Sequence, residues 1–218
     1  MVVTGRMWIA ELWRYPVKSM AGERLERAEL SEDGIVGDRV VQVRDPRGRV
    51  LTARRKPQLL GHRAVLGKDG EPLVDGRPWD SPGVAADVER AAGPGAHLAR
   101  SEGPERFDVL PLLVATDGAI AAFGHDGRRL RPNIVIAGVD GLAERQWEGR
   151  RLRAGPVVIG LQDLRGRCVM TTFDPDTLEQ DVEVLQKIRR EFGGTLALNS
   201  WVVTPGELAV GDTVELVG

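Results

Sequence analysis

A single cysteine, Cys168, stands among 218 residues, so no intramolecular disulfide braces the chain and no four-cysteine iron–sulfur cluster can form from it. Histidine is nearly as scarce. His62, His97 and His125 lie far apart in sequence with no i,i+3 or i,i+4 pairing, which leaves a zinc site of His and Cys ligands without support. The G-x-S-x-G elbow, the Walker loop and the G-x-G-x-x-G fingerprint are all missing, and serine hydrolases, P-loop NTPases and dinucleotide oxidoreductases lose their foothold with them. Apolar runs stay well short of the ~18 residues of a membrane-spanning helix. Glu11 and Arg14 interrupt the opening segment where a signal peptide needs an unbroken apolar core, and no lipidation motif occurs. The expected location is cytoplasmic, with no membrane partner. Neither sign of charge dominates: 30 basic against 32 acidic residues give a net charge of -2, which argues against nucleic acid as a partner.

What is present suits a globular protein. Apolar residues make up 42% and charged ones 28%, enough to fill a core. Glycine (27) and proline (13) punctuate short runs of Val, Leu and Ile, the pattern of many strands joined by tight turns. Strands are expected at 7–15, 25–30, 38–44, 49–52, 62–66, 112–116, 133–137, 157–161, 167–172, 200–204 and 213–217. Asp45-Pro46-Arg47-Gly48 and Asp69-Gly70 supply turn chemistry between them. Helical spacing of Val182, Leu185, Ile188 and Phe192 predicts a helix over 178–192, with Thr177 and Gln180 as a capping box and Gly193 at its exit. A shorter helix is expected at 84–92, and Asp117 is placed to cap another. The five tryptophans are expected mostly as core or barrel-closing aromatics. Gly and Pro cluster within 93–104, so the chain is divided into residues 1–98 and 99–218. The fold class expected is mostly β, a barrel-like unit packed on a second β-barrel with a few helices.

Charge is unevenly distributed. Residues 14–63 carry 12 basic and 7 acidic side chains, and residues 127–167 carry 9 and 4. Brought together, the two regions would make a site for a small polyanion; apart, they are solvated surface. Arginine supplies 26 of the 30 basic residues, which reflects either coding composition or a demand for bidentate anion recognition. Cys168, in Arg165-Gly166-Arg167-Cys168-Val169-Met170-Thr171-Thr172, is open to two readings: a small buried hydrophobe opening a strand, or a soft ligand or nucleophile among guanidinium groups.

The run Arg167-Cys168-Val169-Met170-Thr171-Thr172-Phe173-Asp174-Pro175-Asp176-Thr177, with Leu130-Arg131-Pro132-Asn133-Ile134-Val135-Ile136, resembles the signature of MOSC domains. Tyr15-Pro16-Val17-Lys18-Ser19, Gly34-Ile35-Val36-Gly37-Asp38-Arg39 and Leu51-Thr52-Ala53-Arg54 resemble the N-terminal β-barrel region that precedes that domain in the mitochondrial amidoxime reducing component family and its bacterial relatives. Val210-Gly211-Asp212-Thr213-Val214 fits the ending. The resemblance implies a molybdenum cofactor, with Cys168 as a molybdenum ligand and catalytic residue beside the dithiolene sulfurs of the pterin. It implies cofactor contacts from Lys18, Ser19, Arg39, Thr116, Arg131, Asn133 and Arg167, which suit phosphate and pterin edges chemically. It also implies reduction of N-oxygenated compounds such as hydroxylamines and amidoximes, with a separate ferredoxin or flavoprotein as electron donor. The alternative is a sulfur or cofactor carrier acting through a Cys168 persulfide. Gly166 departs from the family pattern, which has a small hydroxyl residue there, and puts a phosphate contact in doubt.

Overall fold

The structure, a computed structural model, describes residues 6–101 and 103–218. Three helices, α1 (Pro82–Ala92), α2 (Asp117–Phe123) and α3 (Val182–Phe192), accompany a closed barrel. Its strands are β1 (Met7–Arg14), β2 (Leu112–Thr116), β3 (Ile134–Ala137), β4 (Arg151–Ala154), β5 (Val157–Gly166), β6 (Thr195–Thr204) and β7 (Thr213–Val217). Around the ring they run β1, β3, β2, β6, β5, β4, β7 and back to β1. Only β2 and β3 pair in parallel, and α2 lies in the crossover that a parallel pair needs. Closure removes the exposed edges of an open sheet.

The barrel interior follows the strand period. In β4, Leu152 and Ala154 point inward while Arg151 and Arg153 face solvent. In β1 the register against β3 slips between Ile9 and Glu11. That bulge lets Ile9 and Leu12, three residues apart, both reach the core, where each is at most 1% exposed. They pack with Leu112, Val114, Ile134, Ile136, Leu152 and Leu198. A second apolar cluster, from Val17 and Met20 to Val84 and Val88, unites α1 with small three-stranded sheets. A third packs α3 on Phe123 and Leu130.

The two units are interleaved along the chain. The barrel takes its first strand from Met7–Arg14, and Arg27–Ser31 pairs with Gly206–Ala209 near the other end. The Val17–Val41 bridge then leads into the second unit.

Several local expectations change. Segment 167–172 is not a strand: β5 ends at Gly166, and Val169–Thr172 forms a 3-10 turn. The Thr171 and Thr172 hydroxyls donate to the carbonyls of Cys168 (2.8 Å) and Val169 (2.7 Å), and such back-bonding competes with a sheet ladder. Helix α3 starts at Val182 rather than 178, capped by Asp181, whose carboxylate accepts from the Glu183 N–H at 2.9 Å. Asp174 holds the preceding residues in a turn by accepting from the N–H groups of Asp176 and Thr177, both at 3.0 Å. Of the five tryptophans only Trp147 is buried, while Trp8 and Trp201 are 40% and 36% exposed. On the outer face of the barrel Trp201 covers Gly160, where an added Cβ would come within 2.3 Å of the indole.

Thr116, not Asp117, caps α2, accepting from the Ala119 N–H at 3.2 Å. Asp117 instead accepts from the N–H groups of Gly118 (2.8 Å), Gly138 (2.9 Å) and Val139 (3.1 Å), clamping the end of β3 to the helix. Asp117→Ala leaves two loop donors without this acceptor and is expected to destabilise the protein by about 1–3 kcal/mol. Urea unfolding measures it; an unchanged midpoint would contradict the clamp.

Candidate functional site

Between the barrel mouth and the second unit lies a cleft with about 780 Å³ of atom-free space, its open mouth included. Chain turns from both units build it. Lys18 and Ser19 follow the Tyr15-Pro16 corner, held when the Lys18 N–H donates to the Val41 carbonyl at 2.8 Å. Ser19 turns at φ 72°, and its hydroxyl accepts from the Ala53 N–H at 3.0 Å, bringing Arg54 alongside. Arg39 sits at φ 54° and Arg131 at φ 55°. Non-glycine residues in this region carry backbone strain, and three of the six in the described chain are Ser19, Arg39 and Arg131.

One buried knot fixes these turns. The Asp38 carboxylate, 1% exposed, accepts from the Tyr15 N–H (2.7 Å), the Asn133 side-chain amide (3.3 Å) and the Arg39 guanidinium. Asn133 also donates to the Trp13 carbonyl at 3.2 Å and accepts from the Leu113 N–H at 3.2 Å. It lines the cleft with its amide spent on the protein, joining β1, β2 and β3. Tyr15 forms the platform: Arg131 lies over its ring at 4.3 Å and Arg39 at 5.2 Å, while its hydroxyl donates to the Pro132 carbonyl at 3.1 Å. Burial pushes the phenol up to about 12, so it stays a neutral donor.

Cys168 lies at the cleft wall in extended conformation just before the 3-10 turn. Seven cationic side chains line the same space: Lys18, Arg39, Arg54, Arg129, Arg131, Arg165 and Arg167. Asp108 is the single lining carboxylate among the described residues. It meets Lys18 at 3.0 Å, Arg54 at 2.7 Å and Arg165 at 3.2 Å. Burial opposes its charge, but these three cations outweigh burial and hold it below the usual carboxylate range. Burial also lowers Arg131 and Arg165. Arg167 falls furthest, to about 10, through burial that its attraction to Cys168 only partly offsets. Arg167 donates to the Leu130 carbonyl at 2.7 Å, yet its Nε is buried with no partner among the described residues. An uncompensated donor among crowded cations is a receptor for an anion.

The structure thus brings Lys18, Ser19, Arg39, Arg131, Asn133, Arg167 and Cys168 to one cleft and leaves Thr116 out of it. Thr116 is fully buried, caps α2, and donates to Glu144 at 3.3 Å. Sequence reasoning gave no role to Asp108 or Arg129, and placed Arg165 only as a guanidinium near Cys168. Arg54 was visible only as the end of the Leu51-Thr52-Ala53-Arg54 motif. Gly166 lines the cleft with open space where a Cβ would stand, so a hydroxyl residue is sterically accepted there. Among the described residues no cluster of three or more His, Cys, Asp or Glu could hold a metal alone, and no helix is long and apolar enough to cross a membrane.

Fold and cleft together define a two-unit β-barrel protein with a thiol set in a cationic cleft at the junction. Residues 6–91 match the MOSC N-terminal beta barrel domain and residues 119–215 the MOSC domain, and the chain belongs to the MOSC-domain proteins. It is similar to mitochondrial amidoxime-reducing component 1 of Homo sapiens, at 25% identity with 96% of this chain and 83% of that protein covered. The corresponding protein of Mus musculus is 26% identical over 96% and 82%. The YUAD protein of Bacillus subtilis superposes with a TM-score of 0.48 at 12% identity, covering 96% of this chain and 95% of that one.

The lowered Arg167 value has a consequence for anion binding. A cation with a depressed pKa keeps its charge below that value and loses it above. Inorganic phosphate bound in the cleft should therefore weaken as pH rises through about 10. Calorimetric titration of wild type and Arg167→Leu checks this; equal pH profiles would remove Arg167 from the anion site.

Proposed function

We propose that the cleft binds the molybdenum cofactor and that the protein reduces N-oxygenated compounds such as hydroxylamines and amidoximes. One observation carries the reading: the chain's single cysteine lies in the same space as seven cationic side chains and one carboxylate. A sulfur donor suits a high-valent molybdenum centre with sulfur ligands. The surrounding cations suit a phosphate-bearing pterin, and the buried partnerless Arg167 Nε offers it a donor. The donor set therefore fits this cofactor. The human and mouse proteins similar to this chain are named for amidoxime reduction, which favours the same reaction class.

Cys168 would hold the metal. Lys18, Arg39, Arg131 and Arg167 would bind phosphate and pterin edges, with Arg39 and Arg131 kept in place by the Tyr15 ring. Ser19 and Asn133 have hydrogen-bond groups committed to Ala53, Leu113 and Trp13, so their part is to position the turns that carry the cations. Asp108 stays ionised and keeps Lys18, Arg54 and Arg165 converged on the cleft. When bound, the cofactor supplies two-electron oxygen-atom chemistry that no side chain can perform. The protein supplies ligation, charge compensation and orientation. The electron donor proposed is a ferredoxin or flavoprotein, since the one cysteine of these residues cannot itself hold an iron–sulfur cluster. A persulfide carrier would use Cys168 too, but a lone sulfur in transit gives no reason for so dense an arginine lining.

The test is the molybdenum-to-protein ratio of wild type and Cys168→Ser purified from a host that makes the cofactor, followed by reduction of benzamidoxime with reduced viologen. A near-stoichiometric ratio with turnover, both falling at least tenfold in the variant, is expected. Folded wild type without molybdenum, carrying a persulfide at Cys168, would favour the carrier.

A further inference from the structure

A second cavity adjoins the first, with about 1120 Å³ of atom-free space including its mouth. Arg129, Arg131 and Met170 line both, so the two share a wall, and Met170 is two residues beyond Cys168. Aromatic and apolar groups dominate one side: Trp13, Tyr15, Phe173 and Pro175. Four arginines also contribute, and they divide into two kinds. Arg128 is spent on Asp176, in a bidentate pair at 2.9 and 2.6 Å, and on Asp126 at 2.7 Å. Arg129 is spent on Asp174 at 3.0 Å. Arg63 and Arg131 are different. Arg63 makes its hydrogen bond through the backbone N–H, to Asp75 at 2.9 Å, and its guanidinium has no ion-pair partner among the described residues. Arg131 rests on the Tyr15 ring at 4.3 Å, which engages its face and leaves the N–H edge without a carboxylate.

Aromatic walls favour a flat apolar group, and the Arg63 guanidinium, which unlike Arg131 lies outside the cofactor cleft, favours a carboxylate or similar anion on it. Pockets of this kind, mostly apolar with a few placed polar groups, are the usual form of a small-molecule site. We infer that this second cavity receives the aromatic, anion-bearing part of the substrate, with Arg63 as a specificity-determining residue and the shared Met170 wall leading to Cys168. The inference rests on the reductase reading for the identity of the reacting group. The pocket's preference for aryl anions stands on its own residues.

Calorimetry of the molybdenum-loaded protein with 2-naphthoate and with neutral 2-naphthalenemethanol tests it. The acid should bind more tightly than the alcohol. Arg63→Ala should weaken the acid about tenfold and leave the alcohol within about twofold, the scale of one charge-assisted hydrogen bond. Phe173→Leu, which keeps an apolar side chain, should weaken both. Equal affinity of wild type and Arg63→Ala for 2-naphthoate, or no binding of either compound by the loaded protein, would overturn the inference; the latter would assign the cavity to the cofactor. Kinetics separate the two claims. A loaded enzyme that reduces neither 4-carboxybenzamidoxime nor benzamidoxime contradicts the reaction. One that reduces both with equal KM contradicts the aryl-anion pocket alone, and a lower KM for the carboxylate that disappears in Arg63→Ala supports it.

Discussion

The buried Asp38 carboxylate is the constraint on which the rest of the site depends. A charge removed from water must be met by donors or it destabilises the fold, and Asp38 is met by three: the Tyr15 backbone, the Asn133 amide and the Arg39 guanidinium. Those donors come from the end of β1, the approach to β3, and the turn that carries Asp38 itself. Satisfying one carboxylate therefore fixes the barrel mouth against the second unit. Tyr15 is locked at the junction, and its ring becomes the surface on which Arg39 and Arg131 can be held close together.

Charge crowding follows. Seven cations around one cleft repel one another, and burial lowers the pKa of several of them. Asp108 relieves part of this by joining Lys18, Arg54 and Arg165, but Arg167 Nε and the Arg131 edge keep donors with no acceptor among the described residues. Backbone strain collects in the same place, at Ser19, Arg39 and Arg131. Strain, depressed cation pKa values and an orphaned donor at one location describe a site preorganised for an anion it does not itself contain.

Much of this was legible along the chain. Short runs of Val, Ile and Leu between turn residues, in segments such as 112–116, 133–137 and 213–217, marked the barrel strands, and Gly193, observed at φ 64°, marked the end of α3. Lys18, Arg39, Arg131, Asn133, Arg167 and Cys168 were reachable because they sit in short, distinctive motifs. What escaped was non-local or decided by side-chain competition. A β-barrel was expected, but nothing in residues 7–14 announces pairing with 134–137 and 213–214, so the strand order around the ring and the interleaving of the units could not be read. Asp108 acquires meaning only when the fold brings it to Lys18, Arg54 and Arg165. Thr171 and Thr172 have strand-forming side chains, yet their hydroxyls bind the preceding carbonyls and make a turn. Thr116 was implied as a phosphate contact by the resemblance, but its hydroxyl is taken up in capping α2.

The central claim is that Cys168 ligates the metal of a cofactor held by the cationic cleft, and the chain's lone cysteine permits a direct measurement. Wild-type protein loaded with molybdenum cofactor and the same protein after removal of the cofactor would be treated with iodoacetamide, and alkylation at Cys168 followed by intact mass. The account predicts that the loaded protein resists alkylation while the stripped protein is modified, with protection tracking molybdenum content. Equal modification of both, with molybdenum still bound after the reaction, would show that the sulfur is not a ligand.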